Sequence, residues 1–263
     1  MESFSMKTCS VIHVGLIEYR AAWELQRRVV AARKLGLIPD VLLLCEHPHA
    51  ITLGRSGKIA NLRASGHVLR QMGVSFVETD RGGDITYHGP GQLVGYPILN
   101  LGEIRRDVAW YVHGIEEAMI RATAEFGIAS KRVSGWTGVW VDVLRNNMGV
   151  KEVNEIEEVK DEEKLGAIGV RLSRWVTSHG FAYNVSTDLR YFDLIVPCGI
   201  AGKRATSLEK LLGRPVEMSQ VAHRIAAHLG EVFGLNLQPA SREDLDKLLE
   251  TIQEPAALAA VSD

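Results

Sequence analysis

The chain has 263 residues, of which 46% are hydrophobic and 24% charged, a composition suited to a globular protein able to bury a sizeable core. Its formal net charge of −2 gives no drive toward nucleic acid or an anionic membrane surface. No apolar run approaches the roughly 20 residues of a membrane-spanning helix. Cys9, Cys45 and Cys198 are odd in number and lack metal-like spacing, which favours a reducing cytoplasm over a disulfide framework. Residues 1–7 carry neither a signal peptide's apolar core nor a transit peptide's arginine-rich face, so a cytoplasmic location is expected.

Residues 10–15 predict a first strand. Residues 18–35 predict a helix with Trp23, Leu25, Val29, Val30 and Ala32 facing inward and Gly36 as its stop. Arg20, Arg27, Arg28, Arg33 and Lys34 then form its outer face, either solvated or a docking surface for an acidic partner. Residues 41–45 predict a buried strand. Cys45, His47 and His49 would share one face if that strand continued. Pro48 interrupts it and no fourth ligand lies nearby, so a zinc site is not expected. Ser65 predicts the cap of a short helix to Met72, stopped by Gly73, and Phe76 and Val77 a further strand.

The stretch Arg81-Gly82-Gly83-Asp84-Ile85-Thr86-Tyr87-His88-Gly89-Pro90-Gly91-Gln92 reads as a loop between Phe76-Val77 and an apolar strand over 93–101. Its glycines let backbone approach a ligand closely. Pro90 stiffens it, and Arg81, Thr86, Tyr87, His88 and Gln92 supply polar tips beside the exposed backbone. A plain turn has no use for that combination.

Asp107 predicts the cap of a long helix ending near 126–127, with Trp110, Ile115, Ala118, Met119 and Ala122 as its core stripe. Residues 137–141 predict a strand. Residues 144–163 hold Glu152, Glu155, Glu157, Glu158, Asp161, Glu162 and Glu163, and read as a solvated insertion rather than a core element. Residues 165–170 and 175–185 predict paired strands, and 186–189 a polar turn leading to 195–199. Thr206-Ser207-Leu208 opens a short helix, Ser219 is expected to cap 220–233, and Ser241 a last helix through Ile252. Residues 254–263 read as a disordered tail. With strands in the middle, helices at the end and no internal repeat, the expectation is an α+β fold, a mixed β-sheet flanked by helices. One domain over 1–263 is expected, with a core of about 10–235, the insertion at about 144–163 and a C-terminal helix and tail at about 241–263.

Cys9 and Cys45 read as small buried hydrophobes. Cys198 differs, because Pro197 rigidifies its approach and Gly199 clears space for an acyl carbon. A thiol with a pKa of about 8.5 is mostly protonated at neutral pH, so a nucleophilic role needs a cationic partner. Lys164, at the mouth of the 165–169 strand, is the candidate. Alone it reads as the last charge of a loop, and Lys151 and Lys160 remain alternatives.

Four blocks in order resemble the lipoyl(octanoyl) transferase family: His47-Pro48 with Thr52-Leu53-Gly54-Arg55, then residues 81–101, 164–185 and 197–208. Within the third, Lys164-Leu165-Gly166-Ala167-Ile168-Gly169 matches the family's lysine ahead of a small-apolar strand. The resemblance implies the fold of biotin and lipoate protein ligases. It implies that Cys198 attacks the octanoyl thioester of acyl carrier protein while Lys164 lowers the thiol's pKa and shuttles the proton. Arg81, Gly82, Gly83, Asp84, Ile85, Thr86, Tyr87 and His88, with Ala167, Ile168, Gly169, Gly180, Phe181 and Ala182, would then surround the acyl chain and carbonyl, and the His47–Arg55 motif would line the same pocket. The implied acceptors are lysines of apo lipoyl domains, in E2 subunits of 2-oxoacid dehydrogenases and in the glycine cleavage H protein. No cofactor, metal, nucleic acid or membrane is implied, and a monomer is expected. The chain departs from the family pattern twice. Tyr183 stands where leucine is usual and would make the pocket wall bulkier if it points inward, and the acidic segment precedes Lys164 where the family joins its strands tightly. The rivals are an ATP-dependent lipoate or biotin-type ligase, whose Gly-Arg-Gly-Arg-like phosphate loop is not seen, and a non-catalytic acyl-carrier-binding protein, which would tolerate loss of Cys198.

Overall fold

The apolar runs of this chain build one large sheet and one small one. A computed structural model describes residues 6–146, 158–196 and 203–252, with side chains as far as 143 and again from 161. In chain order it contains β1 (Lys7–Leu16), α1 (Tyr19–Lys34), β2 (Asp40–Glu46), β3 (Ala50–Leu53), α2 (Gly66–Gln71), β4 (Ser75–Glu78), β5 (Ile85–His88) and β6 (Gln92–Ile98). These are followed by α3 (Val108–Ala124), β7 (Lys131–Val133), β8 (Trp136–Asn146), β9 (Glu158–Ser173), β10 (Val176–Asn184), β11 (Arg204–Ala205), α4 (Leu208–Leu212), α5 (Met218–Phe233), β12 (Leu235–Pro239) and α6 (Arg242–Thr251). The large sheet runs β12-β1-β2-β6-β10-β9-β8-β7, with β11 beside β9. It is mixed: β1 pairs parallel with β12 and β2, whereas β2, β6, β10, β9 and β8 pair antiparallel in turn.

Both faces of this sheet are covered, which explains why β2 is apolar almost throughout. Leu42 and Leu44 point to the layer of α3 and α5, and Val41, Leu43 and Cys45 to the layer of α1 and α6. The small sheet, β4-β3-β5, keeps its own core of Ile51, Leu69, Val74, Ile85, Tyr87 and Ile195. Among the described residues no helix is long and apolar enough to cross a membrane.

The expected α+β architecture and most helix starts match. Ser65, Asp107, Ser207 and Ser241 each accept a backbone N–H in the first turn. Several expectations need correction. Residues 81–92 do not form one loop, because Ile85–His88 pairs antiparallel with β3. The acidic segment is not wholly outside the core ladder: β8 runs to Asn146 and β9 starts at Glu158, with Asp142 opposite Glu162 and Val141 opposite Glu163. Two of its acids are compensated: Lys131 and Lys203 bond Glu162, and Lys210 bonds the buried Glu163. Residues 147–157, with Lys151, lie outside the described residues, as do Cys198 and the tail from 253. Lys160 sits in the ladder opposite Leu144. Ser219 is not a cap: α5 begins one residue earlier, after Glu217, without a side-chain cap bond. Arg33 is not on the outer face of α1. It is buried against Asp40 (2.7 Å) and Glu103 (2.9 Å), and Lys34 bonds Ser173, leaving Arg20, Arg27 and Arg28 exposed.

Candidate active site

A cleft of ≈ 330 Å³ opens on the α1 face of the large sheet, between β9–β10 and the small sheet. Its floor is made of small residues, with Ala167 opposite Ala182 and Gly169 opposite Gly180. Cross-strand neighbours share a face, so two methyl groups and two bare glycines leave a smooth apolar trough. Ile168 and Phe181, paired with each other between these two pairs, border the cleft but alternate to the other face, where their side chains pack into the α3–α5 layer.

Lys164 reaches this face through a β-bulge. Val139 pairs with Gly166 and Trp140 with Lys164, so Leu165 is an extra residue on β9. Leu165 is buried in the α3–α5 layer, and a Cβ on Gly166 would meet the Met119 sulfur at 3.0 Å on that same side. The bulge thus puts Lys164 on the face of Ala167 and Gly169. Its Nζ donates to the Thr137 carbonyl (3.1 Å) and stands 4.6 Å from the centre of the Trp140 ring. The neighbouring Gly138 has φ +121°, and a side chain there would run into the Gly166 carbonyl. Lys164 also borders a recess of ≈ 30 Å³ lined by Gln92, Trp140, Asn184 and Arg204.

The glycine-rich segment forms the facing wall. Gly82 N–H donates to Val170 O (2.9 Å), and a Cβ on Gly169 would sit 2.7 Å from the Gly82 carbonyl, so only glycine allows this approach. Arg81 is buried. Its guanidinium donates to the Thr52 carbonyl (2.7 Å), the Thr52 hydroxyl (2.9 Å) and the Gly82 carbonyl (3.0 Å). Asp84 shapes the loop, accepting from Lys58 N, Ile85 N and Asn61 Nδ2. Arg81, Gly83, Asp84, Ile85, Thr86 and His88 line the cleft. Gly82 contributes through its backbone. Tyr87 is not brought to the lining: it lies in the small sheet's core, its hydroxyl bonded to His49 Nδ1 (2.7 Å) and its ring stacked on Tyr191.

The far end is built from Tyr19, His88, Tyr96 and His179, residues the sequence reading did not single out apart from His88. His47 lies behind them. Its Nδ1–H donates to Ile17 O (2.7 Å), which leaves Nε2 to accept from the Tyr96 hydroxyl (2.7 Å). Burial lowers its pKa to about 4. His88 is held well below the usual imidazole range by burial and then by His47 and Arg81. Burial also lowers His179, although Asp80 accepts from its Nε2 at 2.6 Å and opposes the shift. The end wall is therefore polar but uncharged at its imidazoles near neutral pH. Cys45, His47 and His49 do not converge as metal ligands: His49 turns away to Tyr87 and stacks on Tyr191.

Hydrogen bonds tie the glycine-rich wall to the lysine strand. His88 Nδ1 bonds Gln92 Oε1 (2.8 Å), Gln92 Nε2 donates to Asn184 Oδ1 (2.9 Å), Asn184 Nδ2 to Thr206 O (2.9 Å), and Thr206 N to Lys164 O (2.9 Å). Arg204–Ala205 pairs with Glu163–Lys164, so β11 lies against the lysine's own backbone. Before residue 197, Val196 N donates to Asn61 O (2.7 Å).

Tyr183 does not wall the cleft. It is fully buried on the opposite face of β10, packed in the α3–α5 layer with its hydroxyl 2.9 Å from Thr123 Oγ1. Of the His47–Arg55 motif, His47 and Thr52 stand behind the lining and support Tyr96 and Arg81.

Comparison with known proteins gives the family and the fold. Residues 18–230 match the model of the lipoyl protein ligase A/B catalytic domain. An octanoyltransferase from Solibacter usitatus is 46% identical over 236 residues, covering 90% of this chain and 98% of that protein. One from Chloroflexus aurantiacus is 47% identical over 231 residues, covering 88% and 96%. A bipartite lipoate protein ligase from Thermoplasma acidophilum has a similar fold, with a TM-score of 0.68 at 13% identity, covering 94% of this chain and 92% of that one.

Proposed function

Since the chain belongs to the lipoyl protein ligase A/B catalytic-domain family, with the octanoyltransferases, and is an acyltransferase, we propose that it moves an octanoyl group from octanoyl-acyl carrier protein to a lipoyl-domain lysine. Cys198 carries the group between them. The Cys198 thiolate attacks the thioester carbonyl, the carrier's thiol leaves with a proton, and a new thioester forms on the enzyme. The acceptor lysine's amine then attacks that thioester, an amide forms, and the Cys198 thiol is restored. Exchange of one thioester for another is nearly isoenergetic and the amide is more stable, so ATP is not required. Lys164 favours the thiolate, as an ammonium within about 4–6 Å does, and passes the proton. The octanoyl chain lies along Ala167, Gly169, Gly180 and Ala182, beneath the segment from Arg81 to His88, while Ile168 and Phe181 support this floor from the α3–α5 side. Acceptors are the lipoyl domains of 2-oxoacid dehydrogenase E2 subunits and the glycine cleavage H protein. The enzyme acts as one catalytic domain, a cytoplasmic monomer.

The observation that carries this reading is the bulge at Leu165. It puts Lys164 on the same face as the small-residue trough, paired with β11, which begins six residues after Cys198 in sequence. The test is transfer to an apo lipoyl domain followed by mass spectrometry. Octanoyl-acyl carrier protein without ATP should add one octanoyl amide. Transfer that instead demands ATP and free octanoate, with AMP released, would move the chain to the ligases.

A further inference from the structure

We propose that Trp140 is a positioning residue for the Lys164 ammonium, its indole face fixing that cation at the edge of the cleft. This rests on the reading of Lys164 given above. A lysine's four-carbon stem is flexible, and an ammonium held only by one carbonyl samples many rotamers. Two surfaces among the described residues help define its place here. Thr137 O accepts from Nζ at 3.1 Å, and the Trp140 ring centre lies 4.6 Å away. The negative face of an indole attracts an ammonium, more strongly where water is excluded.

The indole itself is immobilised. Trp140 is 1% exposed, and its Nε1–H donates to the Trp136 carbonyl at 3.1 Å. The bulge makes Trp140 the direct cross-strand partner of Lys164. The next indole, Trp136, stands 5.5 Å from Trp140 and carries a different cation, Lys203, whose Nζ is 5.1 Å from its centre and 3.0 Å from Glu162. Each indole thus serves its own ammonium, and the one over Trp140 belongs to the cleft.

The test is a double-mutant cycle read as the single-turnover rate of octanoyl loading from octanoyl-acyl carrier protein. Trp140→Leu should slow loading about tenfold when Lys164 is present and cause no further loss in Lys164→Ala. Trp140→Phe, which keeps an aromatic face, should recover most of the rate. An equal loss from Trp140→Leu in both backgrounds would overturn the proposal, because the indole would then act only through packing. Should Trp140→Leu fail to fold, tetrafluorotryptophan at position 140 keeps the shape while draining the ring's negative face. It should slow loading as Trp140→Leu does, and an unchanged rate overturns the proposal. The ε-methylene protons of Lys164 should resonate upfield in the native protein through the ring current, and an ordinary shift there overturns it too. If Lys164→Ala alone leaves loading at the native rate, the role of Lys164 has failed and this inference falls with it. That single arm separates the two failures.

Discussion

Gly169→Ala probes the contact on which the cleft's shape depends. The added Cβ would lie 2.7 Å from the Gly82 carbonyl and 3.3 Å from Arg81 Cδ. Ordinary contact begins near 3.4 Å, so the glycine-rich wall must retreat by about 0.7 Å. Its nearest atom is backbone and cannot swing aside. The retreat loosens the Gly82 N–H bond to Val170 O, now 2.9 Å, and shifts Arg81 against Thr52. Overpacking of this kind costs about 2 kcal/mol, which lowers Tm by roughly 5 °C in a protein of this size. Displacing a substrate-positioning wall by nearly 1 Å costs on the order of a hundredfold in rate. Gly166→Ala is the control, because its Cβ would meet the flexible Met119 sulfur at 3.0 Å on the other face of β9. It should keep a near-native loading rate. Single-turnover octanoyl loading and thermal melts on both variants decide the matter. Native loading and an unchanged Tm in Gly169→Ala would refute the role given to this contact.

Two further outcomes are expected. Tyr183→Phe removes the hydroxyl bonded to Thr123 and should cost about 1 kcal/mol of stability, while the ratio of kcat/KM for ten- and eight-carbon donors stays as in the native protein. A changed ratio would return Tyr183 to the pocket wall. His47 takes up a proton near pH 6.5 when unfolded but only near about 4 when folded, so its stabilising share is full above 6.5 and is lost as pH falls toward 4. That share is roughly 3 kcal/mol. Denaturant melts at pH 7 and pH 4 should show a smaller pH dependence in His47→Gln than in the native protein, and equal dependences would contradict the burial argument.

Much of this was legible in the sequence because the signals are local. Capping serines and aspartates, the apolar stripe of α3 and the paired strands around Ala167 and Ala182 all depend on neighbours within a few residues. What escaped depends on partners far along the chain. Ile85–His88 is too short and too closely flanked by glycine to announce a strand, and becomes one only through β3. Arg33 looked like surface because its partners, Asp40 and Glu103, belong to other elements. Simple alternation along β9 would group Lys164 with Gly166 and Ile168, whereas the bulge groups it with Ala167 and Gly169. No local pattern marks an extra residue. Tyr183 was the opposite case: adjacent residues of a strand face opposite ways, so once Ala182 lined the cleft, Tyr183 had to point into the core. Tyr19, Tyr96 and His179 reach the cleft from three separate elements, and nothing in their local sequence joins them.

The central claim is that Cys198 carries the acyl group, and intact mass tests it most directly. After mixing with octanoyl-acyl carrier protein, the protein should gain one octanoyl group. The gain should vanish in Cys198→Ser and persist in Cys9→Ser and Cys45→Ser, whose thiols are buried and pushed up by that burial. An octanoyl adduct that survives in Cys198→Ser would contradict the account.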